Sequence, residues 1–183
     1  MAYPLGHLAI GLTTFSWGKR KNIFSQWRLA VLLVFLANLP DIDVLIGLLW
    51  QGNGTVFHRG PTHSLVFAAG MGYLATRACC RWPSLPQIGF VDGFLVIASH
   101  LVADYFLTTS PISFLWPFDL QLCYGHTGWA DVAGSIFRGA YREDAVIVAG
   151  CCGVLILNML IHKYPANIWL IFDRFRAWAI GTR

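Results

Sequence analysis

His100 and Asp104 stand four residues apart, so on a helix an imidazole and a carboxylate share one face, about 6 Å from each other. Such a pair can grip one ion, or simply hydrogen-bond. Two further blocks carry the same residue types: N-L-P-D-I-D, from Asn38 to Asp43, and H-R-G-P-T-H-S, from His58 to Ser64. In the second, Gly60 and Pro61 make a turn that can bring His58 and His63 to one point with Arg59 beside them. A guanidinium held near a metal suits an anionic oxygen ligand such as a phosphoryl group. Thr62 or His63 then starts the next helix, with the threonine hydroxyl capping free amides. In the first block Pro40 removes a helix hydrogen bond, and Asn38 can bond the carbonyls it frees. Asp41 and Asp43 then either bridge two cations, or hold one and orient its water; as loop residues they would be merely solvated. Three of the nine acidic residues of the chain fall in these blocks. Burying unpaired carboxylates and imidazoles is costly, and a divalent cation offsets that cost directly.

The elements that must position these groups are oily. Hydrophobic residues make up 56% of the 183, and charged residues only 12%, against about 25% in soluble domains. The mean hydropathy is +0.57. One all-α domain, residues 1–183, built as an integral membrane bundle, is the expected fold. Four transmembrane helices are predicted, over Leu29–Trp50, His63–Cys80, Gln87–Thr109 and Asp144–His162. A short first helix, Leu5–Trp17, precedes them, and an interfacial helix, Ile168–Ile180, follows. The apolar N-terminus has its charges (Lys19, Arg20, Lys21) after it, the wrong order for a cleaved signal peptide.

A net charge of +4 does not make a nucleic-acid binder, because the basic residues punctuate the apolar runs rather than forming a patch. If Arg28 is cytoplasmic, ten Lys and Arg fall on that side and three (Arg59, Arg138, Arg142) on the other. Asp41 lies 13 residues beyond Arg28, about 20 Å along a helix. All three blocks then reach the outer half of the bilayer, so one outward-facing site is expected in an inner, plasma-membrane protein that crosses several times. The five cysteines, two adjacent pairs and Cys123, read as small apolar residues of membrane helices, since neighbours on a helix point about 100° apart. His126, with Asp119 and Asp131 nearby, reads as part of a polar outer loop, and His162 as an interface residue.

Taken together, N-L-P-D-I-D, H-R-G-P-T-H-S and H-L-V-A-D-Y-F-L-T-T followed by F-L-W-P-F (Phe114 to Phe118) resemble the YdjM-like family of membrane-bound metal-dependent hydrolases. The likeness runs from His7 to Phe118 and rests on the set of blocks rather than on any one. It implies a helical membrane fold, a hydrolase activity and a distant similarity to zinc-dependent phospholipase C. It also implies the ligand set: His7, Asp41 or Asp43, His58, His63, His100 and Asp104. The sequence departs from the pattern after Asp104, with Thr109, Ser110 and Pro111 where relatives often have a glycine.

The expected activity is hydrolysis of a phosphoester, small or lipid-derived, by a metal-activated water. Mixed histidine and aspartate donors favour zinc, as one or two ions. Asp41 or Asp43 would accept the proton and Arg59 would neutralise phosphoryl charge. Membrane lipids are the expected surroundings. Two alternatives use the same residues: a metal transporter or sensor, and a scaffold locked by a structural metal.

Overall fold

The structure is a computed structural model, and it describes residues 4–17, 26–107, 111–118, 122 and 140–163. Among these residues the chain is all-helical apart from one isolated antiparallel pairing, Ile112 with Leu122. Helix α1 spans Pro4–Ser16 and α2 Trp27–Ala37. A 3-10 turn, Leu39–Asp41, leads into α3, Ile42–Gln51. A second 3-10 turn, Pro61–His63, precedes α4, Leu65–Arg81, then come α5, Phe90–Leu107, and α6, Ala140–Lys163. The predicted interfacial helix 168–180 and the loop residues Asp119, His126 and Asp131 lie outside the described residues.

Helix α5 is the central post, touching α1, α2 and α4. Its Val96, Ile97 and Leu101 are fully enclosed. Val96 and Ile97 pack with Leu29, Leu33 and Leu36, one stripe of α2, and with Leu12 and Phe15 of α1. The opposite face of α2 turns Val31 and Phe35 outward. Asn158 of α6 donates to the Ser16 carbonyl at 3.0 Å, capping the end of α1.

Pro40 acts as its chemistry requires. The predicted continuous segment 29–50 is two helices bent by 53° at the 3-10 turn. Asn38 Nδ2 donates to the Val34 carbonyl at 2.9 Å, so the amide does satisfy a backbone acceptor beside the break. Of the four predicted spans, one helix is long and apolar enough by itself, Ala145–Lys163 within α6, or two if the bent pair counts as one span. Helix α4 has 17 residues and ends in Arg77 and Arg81, while α5 carries Asp92 and Asp104. Of the two, α5 carries His100 and Asp104, so it is a wall of the polar site.

Helices α4 and α5 cross at two glycines. A Cβ at Gly72 would stand 2.8 Å from the Phe94 nitrogen and 3.2 Å from the Gly93 carbonyl carbon, so only hydrogen allows this approach. Gly72→Ala is expected to force the backbones apart and cost about 1–3 kcal/mol, read as a lower thermal midpoint in detergent.

Candidate metal centre

The loop between α3 and α4 brings distant residues together by reversing the chain. Gly52 ends α3 in the left-handed region, at φ 66°. The chain then folds back along α3 so closely that a Cβ on Gly47 would meet the Asn53 carbonyl oxygen at 2.6 Å. His58 thus returns to Asp43, 15 residues earlier.

Asp43 is the hub of that return. Its carboxylate accepts from the Thr62 hydroxyl at 2.6 Å and from the Arg59 backbone amide at 3.1 Å. His58 Nδ1 lies 3.1 Å from one oxygen, and His63 Nδ1 3.2 Å from the other. The sequence expectation put the Thr62 hydroxyl at the start of the next helix. Instead Ser64 caps α4, accepting from the Phe67 amide at 3.1 Å, and Thr62 serves the carboxylate.

With Nδ1 anchored on Asp43, His63 turns Nε2 inward. His100 does the same, its Nδ1 held 2.8 Å from the Ala37 carbonyl oxygen at the end of α2. Both Nε2 atoms are buried and without a hydrogen-bond partner among the described residues. Around them stand carboxylate oxygens. His63 Nε2 is 3.5 Å from Asp41 and 3.4 Å from Asp104, and His100 Nε2 is 3.4 Å from Asp41 and 3.9 Å from Asp104. A tetrahedral ion with bonds of about 2.0–2.1 Å has donor–donor edges of about 3.3 Å, and His63, His100 and Asp104 form one group of donors within 4.8 Å of one another that could hold an ion and leave a fourth position open, while Asp41 belongs to neighbouring groups. The anchoring of each Nδ1 by a carboxylate or carbonyl is the support that metal-binding imidazoles characteristically have.

His7, from the first turns of α1, stacks on His100 with ring centroids 3.7 Å apart and places Nε2 3.4 Å from Asp104. Three donor groups fall within 4.8 Å mutual separation: His7, Asp41, His100; Asp41, His58, His63; and His63, His100, Asp104. Every residue of the expected ligand set is therefore gathered here. Of the two aspartates, Asp41 belongs to these groups, and Asp43 stands behind them as a partner of His58 and His63. Asp41 is also the more open carboxylate, its side chain 29% exposed against 3% for Asp43.

Arg59 completes the site. It is a non-glycine residue at φ 69°, a conformation that costs about 1–2 kcal/mol. Backbone bonds on both sides hold it there, its amide on Asp43 and its carbonyl accepting from the Ser113 amide at 3.2 Å. The side chain is buried, with Nε 3.8 Å from Asp104. In the turn between α3 and α4, burial opposes a charge on His63, but Asp104, Asp41 and Asp43 outweigh it and raise the imidazole to about 10. A cation that binds through Nε2 must displace that proton.

The family model described as YdjM inner membrane protein matches residues 1–170. The chain belongs to the YdjM inner membrane protein family. It is also similar to inner membrane protein YbcI of Escherichia coli (strain K12), 36% identical over 96 residues, which are 49% of this chain and 54% of the relative. The chain thus spans about half the length of the curated relative it matches. No solved structure matches. Neither match extends to the likeness with zinc-dependent phospholipase C that the motifs suggested. A YdjM-family chain is a membrane protein, and α2 and α3 expose apolar residues such as Val31, Phe35, Leu45 and Leu49.

Sequence reasoning missed three supports: the Ala37 carbonyl under His100, the Thr62 hydroxyl on Asp43, and the Ser113 amide on Arg59. A backbone carbonyl or amide leaves no signature in residue type. Thr62 was in view within its block, but its partner is 19 residues away.

Proposed function

We propose that this chain is a membrane-bound, divalent-cation-dependent hydrolase of phosphoesters, with zinc the favoured ion. The observation that carries the reading is the meeting of two buried imidazole nitrogens, Nε2 of His63 and of His100, with the Asp104 carboxylate in one donor group, with Asp41 close by and a buried arginine beside them. His63, His100 and Asp104 would hold the ion, with Asp41, His7 and His58 in overlapping groups within reach of it or of a second one. A bound divalent cation supplies Lewis acidity to water and to a phosphoryl oxygen. Arg59, planar and always charged, pairs with the phosphoryl oxygens as their charge grows. Asp41, the open carboxylate, accepts the proton from the attacking water. Asp43 is committed to four partners and positions His58, Arg59 and His63.

Two features weigh against the alternatives. Among the described residues, Leu33, Val96, Ile97 and Leu101 form a buried apolar core, and the buried Ser16 and Asn158 bond to backbone carbonyls, which disfavours a transport path. The exposure of Asp41 leaves an approach to the ion, which a purely structural centre does not need. Arg28 at the start of α2, Arg77 and Arg81 at the end of α4, and Lys163 at the end of α6 sit at the helix ends away from the site. The positive-inside rule then turns a multi-pass chain so that the site faces outward.

The test is hydrolysis of bis(p-nitrophenyl) phosphate and simple phosphomonoesters by purified protein. Turnover is expected with zinc, lost on chelation and restored on adding zinc back. Zinc- and manganese-loaded protein that cleaves none of them removes the reading.

A further inference from the structure

Helix α3 is built inside out. Its two buried residues, Asp43 and Gly47, are one turn apart on the face toward the site. Its apolar residues, among them Leu45, Ile46, Leu49 and Trp50, point away from the protein, with Leu49 90% and Trp50 81% exposed. A helix in water does the reverse, turning its apolar stripe to the core. In an inner-membrane family, the medium that accepts this face is hydrocarbon. The wall between lipid and the donor cluster is then one helix thick, about 10 Å.

The other flank repeats the arrangement. The segment 111–118 is tied to the site through Ser113 on the Arg59 carbonyl and through its Phe114 carbonyl, which accepts from Leu65 at 3.0 Å. Yet Trp116 and Phe118 of the same segment face outward. Arg59 is therefore bonded to two elements that each present an indole and other apolar groups to the surroundings. Tryptophan is the side chain enriched between headgroups and acyl chains.

We propose that the substrate is a phospholipid taken from the bilayer, its phosphoryl group at Arg59 and the cation donors while its acyl chains remain against α3. This rests on the hydrolase reading and narrows it to a substrate class. In the reaction a water oxygen bonds to phosphorus, a phosphorus–oxygen ester bond breaks, and the leaving alcohol oxygen takes up a proton. The lipid tails supply binding that a soluble phosphoester lacks.

The test compares the zinc-loaded full chain on dioleoyl phosphatidylglycerol in mixed micelles, on its deacylated glycerophosphodiester, and on bis(p-nitrophenyl) phosphate. The lipid is expected to exceed its deacylated counterpart at least about tenfold in kcat/KM, the factor given by partial burial of one large apolar side chain or tail segment. L49Q/W50Q, and separately W116Q, should lower the ratio of lipid to bis(p-nitrophenyl) phosphate turnover about tenfold. Zinc content reports whether each variant is folded. If the deacylated diester is cleaved as fast as the lipid, or both flank variants that retain zinc keep the wild-type ratio, the substrate assignment falls and the hydrolase reading stands. If no phosphoester is cleaved by zinc-loaded protein, both fall together.

Discussion

His63→Ala and Asp104→Ala should each strip the purified protein of its metal, from roughly one or two zinc ions per chain to background, as measured by elemental analysis after gel filtration. Each residue enters the cluster through an atom facing several others, so no neighbour can take its place. His63 Nε2 stands opposite both Asp41 and Asp104, and Asp104 also faces His7 and His100. Asp43→Asn should act differently. The amide keeps the volume but no longer offers His63 Nδ1 and His58 a charged acceptor, so zinc affinity is expected to fall roughly 10–100-fold rather than vanish. Competition with a chromophoric chelator separates the two cases. The same titration should show tighter binding as pH rises, because an imidazole must be free of its proton at the ligating nitrogen to bind the ion. Undiminished zinc in both alanine variants would dissolve the centre.

How far the site was legible in the sequence depends on which forces set each residue. The His100–Asp104 spacing is a local helical fact, and it places the two on one face as expected. The H-R-G-P-T-H-S turn is also local, and His58 and His63 do meet, with ring centroids 5.1 Å apart. The division of labour between Asp41 and Asp43 is not local. Residues two apart in a strand would share one face, but here a 3-10 turn runs directly into α3, and the two carboxylates diverge by the geometry of that junction. His7 needed the fold more than any other ligand. On its own it sits on a short helix with no neighbour to mark it, and only the packing of α1 on α5 stacks it over His100. The break inside the first predicted span was hidden for a related reason. Hydropathy sees α3 as the continuation of α2, whereas the proline break turns it 53° and gives it a face for Asp43 and an exposed apolar face. The family membership, in contrast, was carried by side chains alone and is seen again over residues 1–170.

Arg59→Ala should lower phosphoester hydrolysis by about 10²–10³-fold in kcat while the zinc content stays near that of the wild type, since a guanidinium donates no lone pair to a cation and its side chain meets the centre through a carboxylate, Asp104. Arg59→Lys should recover little of this, because an ammonium cannot present two parallel donors to a phosphoryl group. The backbone gives an independent check on the cause. At φ 69° the wild-type residue is held in a conformation that favours glycine, and two hydrogen bonds from its own backbone, not its side chain, keep it there. Arg59→Gly should therefore be more stable than Arg59→Ala by about 1 kcal/mol, a difference of about 2–4 °C in thermal midpoint for a chain of this size. Both should be equally inactive. Activity that followed stability across the pair, rather than the presence of the guanidinium, would assign Arg59 to the architecture of the loop and remove it from the chemistry.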